Sequence, residues 1–516
     1  MDFSKERSVT YLRAVAQLQY EKISHLEREL LELRARVGET ETVVDENKTL
    51  VEMLARARQR EFGRSSERRP SEKPPKQPRA PQPGHGPRKQ PNLETEIIEH
   101  PLPEDVRVCP ACGGELTEVE GLFDESELIT VTVRNFVRQL HRQKKYRCRC
   151  NGCIKTAPGP LRLLDGGRFS VEFAAEAAAS KYSEHLPLTR QARIMGYEGL
   201  VTDSQTLWDQ VNALATLLTP TYEAIIKVIL AFPVIGCDET RWYLLDNGGK
   251  VKENRIWQSW CLMGHDLVAY RIMDSRGRDA AAEVLAGFTG VVMADAYTVY
   301  QSLARLTGLF VVAFCWAHVR RRFVECQDNF PTECGEALTM IKALYAVERE
   351  GKIPDADLAV LRDQKSRPIV DAIFIWAKAL AARELPRSGL GEALGYLLNQ
   401  EVGLRRFLDD SRIPIDNNAT EAAQRGVVLG RNNHLGSRSR RGTEVAAIYY
   451  TLVECAKLAG VSPKSYIIAV ATAARLNSGA VLLPADFKTL LSATPTSEPS
   501  DNPVLTADET DRNNSP

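Results

Sequence analysis

The chain has 516 residues, too many for one hydrophobic core, and reads as two to four domains. Its 67 Lys and Arg balance 67 Asp and Glu, which excludes a uniformly basic nucleic-acid coat but leaves local basic stretches to meet a phosphate backbone. The 11 cysteines, five of them between Cys109 and Cys153, have metal spacing rather than a disulfide framework. With no signal-peptide core and no apolar run that reads as a bilayer span, the expectation is a cytoplasmic protein with no membrane partner.

From Val9 to Leu54 a heptad holds its register, with Val9, Ala16, Ile23, Leu30, Val37, Val44 and Val51 at a and Leu12, Leu26, Leu33 and Leu54 among the d residues. Apolar residues every 3.5 positions on average specify a coiled coil. Residues 1–62 are therefore expected to self-associate into a homo-oligomer, the alternative being one amphipathic helix folded back on its own protein. The stretch 63–99 is rich in Pro, Lys, Arg and Gln and nearly free of apolar side chains, so it reads as a stiff basic linker.

Residues 100–160 carry two Cys-x-x-Cys knuckles, Cys109/Cys112 and Cys150/Cys153. Four thiolates suit a closed tetrahedral structural Zn2+ site. Cys148 competes with Cys150 for the third place. Basic residues from Arg138 to Arg149 beside the second knuckle suggest a face turned toward nucleic acid.

The stretch 161–230 is helical in pattern, with Asp203 or Ser204 as the cap of its last helix. A helix-turn-helix that reads DNA is one interpretation of Leu186 to Val211. A plain helix pair of an α-helical domain is the other.

In Val234 to Leu245 an apolar run is broken by Asp238, as in a buried strand with one carboxylate directed out of it. Two strands follow around Gly264-His265, then a short helix from Arg278 to Ala286. A fourth strand ends at Asp295, and a fifth, Leu309 to Phe314, precedes the helix Trp316 to Phe323. Three antiparallel strands, a crossover helix and two further strands is the order of a ribonuclease-H-like α/β sheet, in which the first and fourth strands are neighbours. Asp238 and Asp295 would then meet. Neighbouring carboxylates raise each other's pKa unless a cation lies between them. Mg2+ (or Mn2+) suits such a pair, and two ions about 3.5–4 Å apart clamp an in-line phosphodiester displacement.

A helical insertion is expected at about 335–410. Beyond it, Asp416 reads as a helix N-cap and Glu421 lies on the first turns of that helix. Arg425, Arg431, Arg438, Arg440 and Arg441 run with no acid between them, a phosphate-contacting pattern, and Arg320 and Arg321 are further candidates for DNA contact. His318 reads first as a satisfied core histidine. The catalytic domain spans 231–455, a C-terminal helical segment 456–492 and a disordered tail 493–516.

Cys237-Asp-Glu-Thr-Arg-Trp, Met293-Ala-Asp-Ala-Tyr, Cys315-Trp-Ala-His-Val-Arg-Arg and Ile415-Asp-Asn-Asn-Ala-Thr-Glu with Leu429-Gly-Arg-Asn-Asn resemble the insertion-sequence-66 family of DDE transposases. The order of parts is similar from the N-terminus to about Leu491. The resemblance implies that Asp238, Asp295 and Glu421 are a catalytic triad that binds Mg2+. It further implies cutting of element ends in double-stranded DNA, joining to a target, small accessory proteins of the same element, and work at the nucleoid. The competing readings are a zinc-containing DNA-binding protein without catalysis and a ribonuclease-H-like nuclease without strand transfer.

Overall fold

The structure is a computed structural model that describes residue 29 and residues 136–147, 154–245 and 257–493. The chain divides into two compact units, residues 64–135 and the remainder. The expected linker, most of the coiled coil, the tail beyond Ala493 and all the zinc-ligand candidates (Cys109, Cys112, Cys148, Cys150 and Cys153) lie outside the described residues.

Two short strands, β1 (Lys145–Arg147) and β2 (Ile154–Thr156), pair antiparallel on either side of residues 148–153. Three helices follow: α1 (Val171–Tyr182), α2 (Leu188–Tyr197) and α3 (Ser204–Leu230). Asp203 caps α3 by accepting from the Thr206 N–H at 2.8 Å. From there Leu207, Val211, Leu214, Leu218, Ile225 and Ile229 recur at helical spacing, and all are fully buried. At 27 residues α3 is long and apolar enough to cross a bilayer, unlike the sequence expectation. Its apolar stripe, however, packs against α1 and the sheet of this unit.

The sheet consists of β3 (Val234–Trp242), β4 (Trp257–Gly264), β5 (Leu267–Met273), β6 (Gly290–Ala294) and β7 (Phe310–Phe314), in the order β5-β4-β3-β6-β7. The first three are antiparallel; β6 and β7 run parallel to β3. Helices α4 (Arg278–Val284) and α5 (Thr298–Thr307) make the crossovers, and α6 (Trp316–Cys326) leaves β7.

The insertion holds α7 (Pro331–Glu350), α8 (Leu358–Leu361), a π-turn at Arg362–Ser366, α9 (Arg367–Ala381), α10 (Gly389–Asn399) and α11 (Glu401–Arg405). The chain then returns to the sheet as α12 (Asn418–His434) and α13 (Arg440–Ala459). Helix α13 covers edge strand β5: Thr451 Oγ1 accepts the Tyr270 N–H at 3.0 Å and Cys455 Sγ that of Val268 at 3.3 Å. Those edge donors are thereby closed to another strand. The last two helices are α14 (Pro463–Leu476) and α15 (Pro484–Ala493), with Phe487 of α15 packed on Tyr466 of α14.

Candidate functional site

The site lies where β3, β6 and α12 meet. Strand β3 pairs with β6 through Val234–Val291, Ile235–Val292 and Gly236–Met293, and the same offset carried two residues further brings Asp238 level with Asp295. The pleat turns Gly236, Asp238, Thr240 and Trp242 to one face and Cys237 and Glu239 to the other. Helix α12 lies along the first face. Gly236 admits it, since a Cβ there would strike the Thr420 hydroxyl and come within 2.9 Å of Asn417 Oδ1.

Side chains of α12 and its N-cap then fix the strand. Asn417 Nδ2 donates to Cys237 O at 2.8 Å, and Gln424 Nε2 donates to Asp238 O at 3.2 Å and Ser259 O at 3.1 Å. Glu421, on the first turn of α12, thereby comes close to Asp238.

Burial, the neighbouring Glu239 and the charges of Glu421 and Asp295 push the Asp238 carboxyl up from its ordinary 3.8 to about 7. Asp295 accepts the Tyr297 N–H at 3.0 Å, which holds it at the end of β6. Glu421 is half-buried, with His318 Nδ1 at 3.6 Å from Oε1 and Arg321 Nη2 at 3.9 Å from Oε2. Glu421 Oε1 and His318 Nδ1 are buried atoms that find no hydrogen-bond partner among the described residues. Asp238, Asp295 and Glu421 thus converge, from two strands and one helix.

Residues 166–445, more than half of the chain, match the family model described as Transposase IS66 family. The chain belongs to the IS66 transposase family. Similar proteins of Sinorhizobium fredii (strain NBRC 101917 / NGR234) are the uncharacterized proteins y4jD and y4qI. The first is 31% identical over 402 residues, 74% of this chain and 78% of that protein. The second is 31% identical over 388 residues, 72% of this chain and 70% of that protein.

Some IS66 motif residues stand where the sequence did not place them. Asp416 is not the cap of α12: Asn417 occupies that position, and Asp416 accepts from the Asn418 N–H at 3.1 Å just outside it. His318 is not a satisfied core histidine, because its Nδ1 faces Glu421 without a hydrogen bond.

The arginines divide. Arg431 turns inward, donating to Thr240 Oγ1 and Arg241 O and lying over the Tyr243 ring. Arg441 ties α13 to α3 through Asn212 Oδ1 at 2.8 Å and Thr216 Oγ1 at 3.3 Å. Two of the arginines assigned to phosphate are therefore engaged by the protein itself, because the fold brings acceptors of β3 and α3 within hydrogen-bond reach of them. Arg425, Arg438 and Arg440 are exposed, Arg440 near Asp274 at 3.6 Å, and Arg320 is half-buried on α6.

Glu239, which the sequence did not single out, is almost fully enclosed. Its carboxylate accepts from Tyr300 Oη and from Arg276 Nε, both at 2.7 Å. Burial still leaves it above its ordinary pKa.

Proposed function

We propose that this IS66 family protein is the DNA transposase of an insertion sequence. In this reading the five-stranded sheet is ribonuclease-H-like, and Asp238, Asp295 and Glu421 form the catalytic triad for phosphodiester hydrolysis and strand transfer at element ends. The strand order β5-β4-β3-β6-β7, antiparallel on one side of β3 and parallel on the other, supports the sheet assignment. The observation that carries the catalytic reading is the convergence of Asp238, Asp295 and Glu421 from β3, β6 and α12, close enough that their charges, with burial and Glu239, raise the Asp238 carboxyl to about 7. Such a grouping is unfavourable on its own and is relieved by a divalent cation.

The residues fit that cation. All three are oxygen donors, and Glu421 Oε1 is buried with no hydrogen-bond partner among the described residues. Asp238, Asp295 and Glu421 would hold Mg2+ (or Mn2+), which would supply Lewis acidity toward a phosphodiester oxygen and toward the attacking water or 3′-hydroxyl. The chain's own part is placement: Asn417 and Gln424 fix the backbone on both sides of Asp238, the Tyr297 N–H fixes Asp295, and Arg321 faces Glu421. Arg425 on the helix of Glu421, Arg320 and Arg321 on α6, and the exposed Arg438 and Arg440 are the phosphate contacts of this reading for double-stranded DNA.

The outlying parts complete the proposal. A structural Zn2+ ion held by Cys109, Cys112, Cys150 and Cys153 belongs to this reading on the spacing of the two Cys-x-x-Cys pairs alone. The heptads of 1–62 support a homo-oligomer.

The test is cleavage and joining of the element's own terminal repeats by the full chain with Mg2+. Asp238→Asn, Asp295→Asn and Glu421→Gln should each abolish both steps while retaining the wild-type circular dichroism. Undiminished cleavage by any of the three would remove that residue from the triad. Cleavage without joining by the wild type would leave a nuclease.

A further inference from the structure

Cys315 closes β7 and caps α6, and His318 follows on the first turn of that helix. A sulfur, a ring nitrogen and a carboxylate oxygen of Cys315, His318 and Glu421 all lie within 4.8 Å of one another. Mg2+ chemistry does not account for this set, because Mg2+ selects oxygen ligands and has no use for a thiol or an imidazole. Nor does ordinary packing: His318 Nδ1 and Glu421 Oε1 are buried, face each other at 3.6 Å and find no hydrogen-bond partner among the described residues. Buried polar atoms left in this way are unfavourable. Cys315 Sγ already accepts the Asn417 N–H at 3.2 Å, the kind of outer contact that orients a metal-bound thiolate. Arg321 stands by the other oxygen of Glu421, which leaves Oε1 to the cluster.

We propose that Cys315, His318 and Glu421 form a second metal site, for a thiophilic divalent cation of the zinc class. Tetrahedral zinc with S, N and O ligands at about 2.3, 2.0–2.1 and 2.0–2.2 Å holds the ligand atoms roughly 3.3–3.6 Å apart. The His318–Glu421 spacing of 3.6 Å is close to this, and the Cys315 sulfur lies within 4.8 Å of the other ligand atoms. The thiol proton leaves to solvent as the cation binds. Among the described residues the cluster offers three protein ligands, which leaves the fourth position open. If Glu421 also serves Mg2+, a consequence that rests on the transposase reading, a zinc-class ion here withdraws an oxygen from the catalytic acids and inhibits cleavage. The binding itself does not depend on that reading.

Titration of the full chain with Co2+ in place of zinc tests the site. The expected result is thiolate-to-cobalt absorption for one ion beyond those held by the N-terminal cysteine cluster. That increment should vanish in Cys315→Ser and weaken at least about tenfold in affinity in His318→Ala. Equal cobalt absorption and stoichiometry in wild type and both folded variants overturns the proposal. Should Cys315→Ser fail to fold, His318→Ala alone decides by the same criterion. In the second arm, Zn2+ is added to the Mg2+ cleavage reaction and each protein is compared with its own zinc-free rate; wild type should be inhibited more strongly than Cys315→Ser. A chain that binds cobalt through Cys315 but cuts no DNA keeps the metal site and loses the transposase reading. A chain that cuts DNA with no Cys315-dependent cobalt signal does the reverse.

Discussion

Gly236 and Thr420 are in contact: the threonine hydroxyl occupies the space that any β-carbon at position 236 would need. This contact sets how closely α12 lies on β3, and Glu421 is the next residue along the helix. Gly236→Ala should therefore lift the start of α12 and act on the site and on stability together. Overpacking of this kind costs about 1–3 kcal/mol. Cleavage should fall more steeply than the stability loss alone explains, and Thr420→Ala in the same chain should recover part of both. Urea unfolding beside a cleavage assay checks this, and a fully active Gly236→Ala protein would refute the close-approach role.

The raised Asp238 carboxyl makes a pH prediction with a definite sign. Its pKa moves from 3.8 to about 7 on folding, so between those values the folded chain holds a proton that the unfolded chain has released. Stability therefore falls as pH rises through that window, and the penalty, on the order of a few kcal/mol, is complete above about pH 7. In chelator, Asp238→Asn should melt above wild type at pH 8, and the gap should close as pH falls toward 4. Mg2+ should raise the melting temperature of wild type at pH 8 and have little effect on the variant. A gap independent of pH would show that Asp238 is not the strained group.

Much of this arrangement was legible in the sequence. The alternating and apolar runs around Asp238 and Asp295 located their strands, because a half-buried strand must repeat every two residues. The cap of α3 was legible as Asp203 or Ser204, because a short polar side chain before an apolar helical period has few other uses; the structure selects Asp203. Other features depend on long-range pairing that no local pattern encodes. Arg431 and Arg441 read as phosphate contacts until their partners Thr240 and Asn212, about 190 and 230 residues away in sequence, were placed beside them. Gly236 was within reach, since glycine inside a strand signals a close backbone approach. Glu239 was not, because its partners Arg276 and Tyr300 come from the crossover segments.

Glu239, Arg276 and Tyr297 link the far face of β3 to Asp295. Arg276 bonds the enclosed Glu239 and lies 4.0 Å from the Tyr297 ring centre, while the Tyr297 N–H holds Asp295. Removing Arg276 leaves a buried carboxylate with Tyr300 as its remaining hydrogen-bond donor. Breaking a fully buried pair costs about 3–5 kcal/mol, and the half-exposed Arg276 brings the expectation for Arg276→Ala down to roughly 2 kcal/mol. Arg276→Lys should restore most of the stability, by supplying charge, but less of the cleavage, because an ammonium does not stack on Tyr297 as a guanidinium does. Equal recovery of both by lysine would show that charge alone matters.

Arg362 should be the residue on which the return from the insertion depends. Its guanidinium is enclosed, pairs with both oxygens of Glu348 at 2.8 Å, and donates through Nη1 to Phe407 O, Asp410 O and Ile413 O at 2.7–3.1 Å. Those carbonyls belong to the segment that leads to Ile415, whose carbonyl accepts the Trp316 N–H, and on to α12. Arg362→Met keeps much of the volume but strands Glu348 and three acceptors, a loss of roughly 3–5 kcal/mol. Because Arg362 touches none of the three acids, its effect on cleavage should follow the unfolded fraction. Activity should therefore be near wild type at low temperature and disappear well below the wild-type melting point. Cleavage lost at temperatures where circular dichroism still reports a folded chain would instead mean that this anchor positions Glu421 directly.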